Sequence, residues 1–178
     1  MKDEELIQNF KKGNNRSFEL IYEKYKRSLL KLIWYYVNRK EDAEDILQSV
    51  FYKVVKNIHK FKPEKGASFK TWLYRIAINS CKDFLRTRKQ EIGIDFIDDM
   101  KDTSSTDEIE DKLMVEKIRK EVFKLPIKYR EVIVMIYFEG MQYNEAAEIL
   151  KKPVGTIKSR LNYGINLLKN RMGVNDEK

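Results

Sequence analysis

Thr156, Lys158, Ser159, Arg160, Asn162 and Tyr163 crowd into one short stretch and lie away from its apolar positions. Every one of them ends in a hydrogen-bond donor, and two are cations. Such a row suits phosphate oxygens and base edges in a DNA groove. A second constellation is Phe69, Trp72, Tyr74, Arg75, Asn79, Lys82, Asp83, Arg86 and Arg88, preceded by the small-residue run Lys65, Gly66, Ala67 and Ser68. Aromatic walls, amides and cations around a loop can hold an unstacked base and its backbone. A third is the carboxylate group Glu41, Asp42, Glu44 and Asp45. Metal or acid–base work there would need a histidine or further inward acids. The one histidine, His59, falls at the far end of the same helical pattern. These acids instead suit the positive end of a helix dipole. No glycine-rich phosphate loop and no nucleophile–base pair appears. The chain therefore reads as a non-enzyme, with no cofactor and no metal site.

The donor row needs a helix to carry it. Val154, Ile157, Leu161, Ile165 and Leu168 recur at three and four residues, one buried stripe. Ahead of it, Ala146, Ala147, Ile149 and Leu150 mark a shorter helix, and Lys151-Lys152-Pro153 breaks the two apart. A small-residue helix, a tight turn and a second helix with outward donors is a helix-turn-helix. Asn144 is the expected cap of the first helix. Upstream, Pro126 opens a helix in which Tyr129, Val132, Ile133, Ile136 and Tyr137 should pack, closed by Glu139-Gly140. Ile109, Leu113, Ile118 and Val122 mark another.

Towards the N-terminus, Leu6, Ile7 and Phe10 mark a short helix stopped at Gly13. A long amphipathic helix follows through Ile21, Tyr25, Leu29, Leu32, Ile33 and Tyr36. The next starts near Asp42 and should bury Ala43, Ile46, Leu47, Val50, Phe51, Val54, Val55 and Ile58. After the loop at 61–68, with Ser68 as cap, a helix carries Phe69, Trp72, Leu73, Ile76, Ala77, Ser80 and Phe84 inward.

Net charge is +8 and the sequence pI near 9.3, which favours a polyanionic partner. The charge is blocked: net +10 over residues 1–90, −8 over 91–116 and +6 over 117–178. Cys81 is the single cysteine, so one chain can form neither a disulfide nor a cysteine-based zinc site. The opening MKDEELIQNF lacks a signal-peptide core, and no uncharged run approaches a membrane span. A soluble, cytoplasmic protein is expected.

Three stretches stand in order: KEDAEDILQSVFYKVVKNI, GASFKTWLYRIAINSCKDFLR and LPIKYREVIVMIYFEGMQYNEAAEILKKPVGTIKSRL. Together they resemble a bacterial RNA polymerase sigma factor of the sigma-70 family, in its extracytoplasmic-function (ECF) group. The resemblance runs from about Phe18 to Met172. It implies an all-α protein of two small helical domains: a region 2 bundle at 1–90, an acidic flexible linker at 91–114 and a region 4 helix-turn-helix domain at 115–178. It implies core RNA polymerase as partner, with Asp42, Glu44, Asp45, Gln48 and Ser49 meeting the clamp coiled coil of the largest subunit and region 4 meeting the flap. It implies promoter DNA as the second partner. Lys65, Gly66, Ala67, Ser68 and Phe69 would form the loop that captures a flipped minus-ten base, and Asn79 and Asp83 would shape that element. Lys82, Arg86 and Arg88 would hold phosphates, while Phe69, Trp72, Tyr74 and Arg75 would open the duplex. At the minus-thirty-five element Lys158, Ser159 and Asn162 would face bases, and Thr156, Arg160 and Tyr163 phosphates. The acidic linker would thread polymerase channels built for nucleic acid. An anti-sigma factor is the remaining implied partner.

Overall fold

Phe69, Leu73, Ala77 and Cys81 repeat every four residues, and all four are sealed from solvent. They form the inner edge of α4 (Phe69–Ile92). Burial at that edge pushes the Cys81 thiol up to about 12. The edge packs against α2 (Asn15–Val37) and α3 (Lys40–Asn57), with α1 (Asp3–Lys11) laid on α2. The computed structural model describes residues 2–62, 68–92 and 109–174. The expected loop residues Lys65, Gly66 and Ala67 and most of the acidic connector lie outside the described residues.

The C-terminal unit contains α5 (Ile109–Phe123), α6 (Ile127–Ile133), α7 (Tyr143–Leu150) and α8 (Val154–Met172). No strand occurs among the described residues, and none of their helices is long and apolar enough to cross a membrane. Ile157 and Leu161 bury the α8 stripe, and Gly164 lets α8 approach α6. A Cβ at Gly164 would stand 3.0 Å from Ile133 Cδ1 and 3.1 Å from Tyr129 Cβ.

Several elements depart from their expected form. α3 begins at Lys40, which brings Glu41 and Asp42 into its first turn. Val55 faces solvent instead of the core. The helix opened by Pro126 does not run regularly to Glu139: after Ile133 it widens into a π turn over Val134–Phe138, and the Glu139 amide donates to the Val134 carbonyl. The extra residue in that turn swings Tyr137 outward, leaving it 63% exposed rather than packed. The cap of α7 is Gln142, not Asn144. Glu145 reaches back to the Gln142 amide at 2.9 Å in a reciprocal capping box. Ser68 does cap α4, its hydroxyl accepting from the Thr71 amide at 3.1 Å.

The α7–α8 turn depends on Lys151, whose φ of 52° lies in the left-handed region. This backbone costs a residue with a Cβ about 1–2 kcal/mol. The Lys152 amide closes the turn on the Ala147 carbonyl at 3.0 Å.

Two stability measurements follow from these close positions. Gly164→Val should overpack the α6–α8 contact and cost about 1–3 kcal/mol in denaturant unfolding. Lys151→Gly should stabilise the chain by about 0.5–1 kcal/mol, glycine's looser unfolded state offsetting part of the relieved strain. Its melting temperature should rise rather than fall.

Candidate nucleic-acid interface

α7 and the Lys151 turn set the angle at which α8 leaves the C-terminal unit. On the outer side of α8, Lys158, Ser159, Asn162 and Tyr163 are exposed, and Thr156 and Arg160 half-buried. The Lys158 ammonium stands 5.6 Å from the centre of the Tyr143 ring. Tyr163 packs on Tyr129 with ring centres 4.8 Å apart. The Ser159 hydroxyl donates to the Thr156 carbonyl at 3.1 Å, turning it towards its own helix. This surface therefore offers a lysine and a tyrosine each set against an aromatic ring.

α4 has two different exposed sides. On one, Trp72, Ile76 and Asn79 face Lys53, Asn57 and Lys60 across a cavity of about 340 Å³. Its floor is fixed: Lys53 Nζ donates to Ser80 Oγ at 2.8 Å, and Asn57 Nδ2 to the Lys53 carbonyl at 2.9 Å. Trp72 leans on Phe61 and Phe69, centroids 5.2 and 5.8 Å away. A planar group would meet a ring wall, an aliphatic wall, two amides and two ammonium groups. Asp83 and Arg86 continue this side and pair with each other at 3.1 Å. The opposite wall, from the end of α3 and the short turn after it, was missed by sequence reasoning. Lys53, Asn57 and Lys60 are spaced by four and three, but nothing in that spacing says which helix they face.

The other side of α4 meets the C-terminal unit. Lys70 pairs with Glu145 at 3.1 Å. Arg75 Nη2 donates to the Glu148 carbonyl at 3.0 Å, with that residue's carboxylate at 3.6 Å. Lys82 pairs with Glu131 at 3.2 Å. The Tyr74 hydroxyl donates to Glu139 at 3.4 Å, and burial raises its pKa. Burial also raises the Glu139 carboxyl, against the pull of nearby Lys31. Burial works against ionisation of Glu145, but the Gln142 amide and Lys70 more than offset it and its pKa ends below the ordinary value.

Glu131 is the centre of this seam. It is 4% exposed, and accepts from Tyr36 at 2.8 Å and from Arg160 at 3.3 Å as well as pairing with Lys82. Beside it the Tyr35 ring lies between Phe123 and Phe138, centroids 5.1 and 5.2 Å away at 22° and 11°.

The other expected site residues are scattered differently. Phe69 is wholly buried against Tyr25, Phe61 and Trp72, so it has no surface on which to meet a duplex. Tyr74 is also covered. Asp42 is drawn to Arg88 at 2.8 Å and to Arg39 at 3.7 Å, which joins one expected polymerase contact to one expected phosphate contact. Glu44, Asp45, Gln48 and Ser49 are exposed on one side of α3. Tyr52, 67% exposed, extends that side.

Comparison with known proteins accounts for both halves. The sigma-70 region 2 profile matches residues 21–91, and that of sigma-70 region 4 matches residues 116–164. The ECF RNA polymerase sigma factor SigW of Bacillus subtilis is 31% identical over 183 residues, covering 93% of this chain and 94% of that protein. The RNA polymerase sigma-H factor of Pseudomonas aeruginosa is 30% identical over 171 residues, covering 89% and 88%. Among solved structures, the sigma factor RpoE of Bartonella quintana, in complex with the anti-sigma factor NepR, superposes with a TM-score of 0.75 at 26% identity, covering 90% of this chain and 99% of that one. CnrH, in complex with the cytosolic domain of CnrY, shares the fold with a TM-score of 0.74 at 22% identity, covering 98% and 99%. The helical bundle with its pocketed α4 and the helix-turn-helix behind it thus place this chain among the extracytoplasmic-function sigma factors of the sigma-70 family.

Proposed function

We propose that this chain binds core RNA polymerase in the cytoplasm and directs it to promoters with two separated DNA elements, doing no chemistry of its own. The observation that carries this reading is the cavity between α3 and α4. It has the size and lining for one nucleobase, and a single-stranded base is presented only where a duplex is being opened. Trp72 and Ile76 form its walls, and Asn57 and Asn79 offer amides to a base edge. Lys53 and Lys60 supply charge towards the backbone of the same strand. Ser68 fixes the start of α4, and Lys65, Gly66 and Ala67 just before it are assigned to the same base.

Region 4 supplies the second element. Lys158, Ser159 and Asn162 are the base-facing set, and Thr156, Arg160 and Tyr163 the phosphate set. Phosphate contacts hold register; base contacts carry the sequence. Glu44, Asp45, Gln48 and Ser49, with Tyr52 beside them, form an acidic and polar face for the basic clamp coiled coil of polymerase, and region 4 meets the flap. The acidic connector occupies polymerase channels that otherwise hold nucleic acid. The likeness to RpoE with NepR supports an anti-sigma factor as a further partner of this chain.

Run-off transcription with core polymerase tests the reading: specific initiation is expected, and a chain that neither binds core nor directs initiation overturns it. Asp45→Arg should lose most core affinity with its helical circular dichroism intact, because Asp45 is exposed; unchanged affinity would exclude the α3 face. Asn162→Ala should cost about 1–3 kcal/mol at one minus-thirty-five position and leave the other positions as they were. A uniform loss across all sequences would move Asn162 to the phosphate set.

A further inference from the structure

A groove between α2 and α3 is used by neither the base pocket nor the Asp45 face. Arg27, Leu30, Lys31 and Trp34 line it from α2, and Lys40 and Ala43 from the first turn of α3, around a cavity of about 280 Å³. Leu30, Trp34 and Ala43 give it an apolar floor, and the cations add their aliphatic stems while keeping their charges at the rim. Phe123 meets the Trp34 ring edge-on, centroids 4.4 Å apart at 88°, which fixes that part of the floor. Lys31 has already spent its charge: it donates to the Phe138 carbonyl at 3.1 Å and pairs with Glu139 at 3.6 Å. Arg27 is exposed and makes no ion pair among the described residues. Lys40 reaches only Glu44, at 4.0 Å, with both side chains well exposed. An apolar floor beneath two uncommitted cations fits a peptide in which large apolar side chains alternate with carboxylates.

We infer that in the free protein this groove seats the chain's own residues 94–99, with Ile94, Phe96 and Ile97 on the floor and Asp95, Asp98 and Asp99 turned to Arg27 and Lys40. These residues lie outside the described ones, and two observations select them. The first is the tether. Arg88 of α4 pairs with Asp42 at 2.8 Å, so α4 ends beside the same turn of α3 that lines the groove. The helix rises about 6 Å from Arg88 to Ile92, and four extended residues add at most about 14 Å, so Phe96 stays within about 20 Å of Arg88. The second is chemistry. Residues 91–116 carry net −8, and 94–99 hold three aspartates and three large apolar side chains with no cation. The undescribed stretches 63–67 and 175–178 have no large apolar side chain to offer. The seat needs only the groove and the tether, and stands whether or not the chain serves polymerase.

The test uses the full chain, isotope-labelled for NMR and carrying Lys101→Cys with a nitroxide. Cys81 is buried with its thiol pushed up to about 12, so the label goes to position 101 alone. The nitroxide should remove more than half of the signal from the Leu30 and Ala43 amides and the Trp34 indole, and spare Lys60 and Phe61 beyond the other end of α3. F96S/I97S keeps the tether and every charge, and should return the groove signals to the level of Lys60. R27E/K40E keeps the floor and should do the same. Broadening that survives F96S/I97S comes from the tether alone and overturns the docking; broadening that survives R27E/K40E overturns the charge match on which it depends. In a mixture of spin-labelled copies with isotope-labelled copies lacking the nitroxide, the groove signals should be untouched. Their loss there would make a second chain the occupant and overturn the assignment to residues 94–99.

Discussion

A carboxylate that leaves water must be given back what water supplied, and Glu131 shows how this chain meets that demand. Removing such a group from water costs several kcal/mol even after relaxation. Three donors answer it, Tyr36, Lys82 and Arg160. They come from α2, α4 and α8, so the ion can be satisfied only when both halves are in place. Burial and the neighbouring carboxylate together hold the Tyr36 hydroxyl protonated far above its ordinary pKa, so this donor persists across the physiological range. This one buried charge thus ties helices from both halves to a single point.

Charge sets the orientation, but it does not supply most of the attraction. Half-exposed ion pairs such as Lys70–Glu145 contribute about 0–1 kcal/mol each. The Tyr35 ring, stacked between Phe123 and Phe138, adds about 0.5–1.5 kcal/mol per aromatic pair beyond the apolar area it buries. The π turn makes this possible. By adding a residue after Ile133 it turns Phe138 back onto Tyr35 and sends Tyr137 to solvent. The apolar stack holds the halves together and the carboxylates choose which cations they cover.

The helices, their apolar stripes and the three collinear stretches were legible in the sequence because they depend on neighbours three or four residues away. So were the Ser68 cap and the helix end at Gly140, whose φ is 61°. The cap of α7 was misplaced by two residues: Asn144 has the right chemistry, but Glu145 can reach back only to Gln142. The π turn was invisible because an i+5 bond leaves no mark on a 3.6-residue period. Val55 falls on the helical period of the buried residues, yet it stays 40% exposed. The pocket and the seam were hidden for a different reason. Lys53 meets Ser80 across 27 residues, Tyr74 meets Glu139 across 65, and Tyr36 meets Glu131 across 95. Nothing local selects those partners.

The division of α4 into two working sides follows from its period. Trp72, Ile76, Asn79, Asp83 and Arg86 advance by three and four and so stay on one side. Lys70, Tyr74, Arg75 and Lys82 are offset from them by one to three residues, which turns them towards region 4. With Phe69, Leu73, Ala77 and Cys81 committed to the core, the helix has no further side to give. Any ligand that used the pocket and Lys82 together would have to meet α4 from two directions.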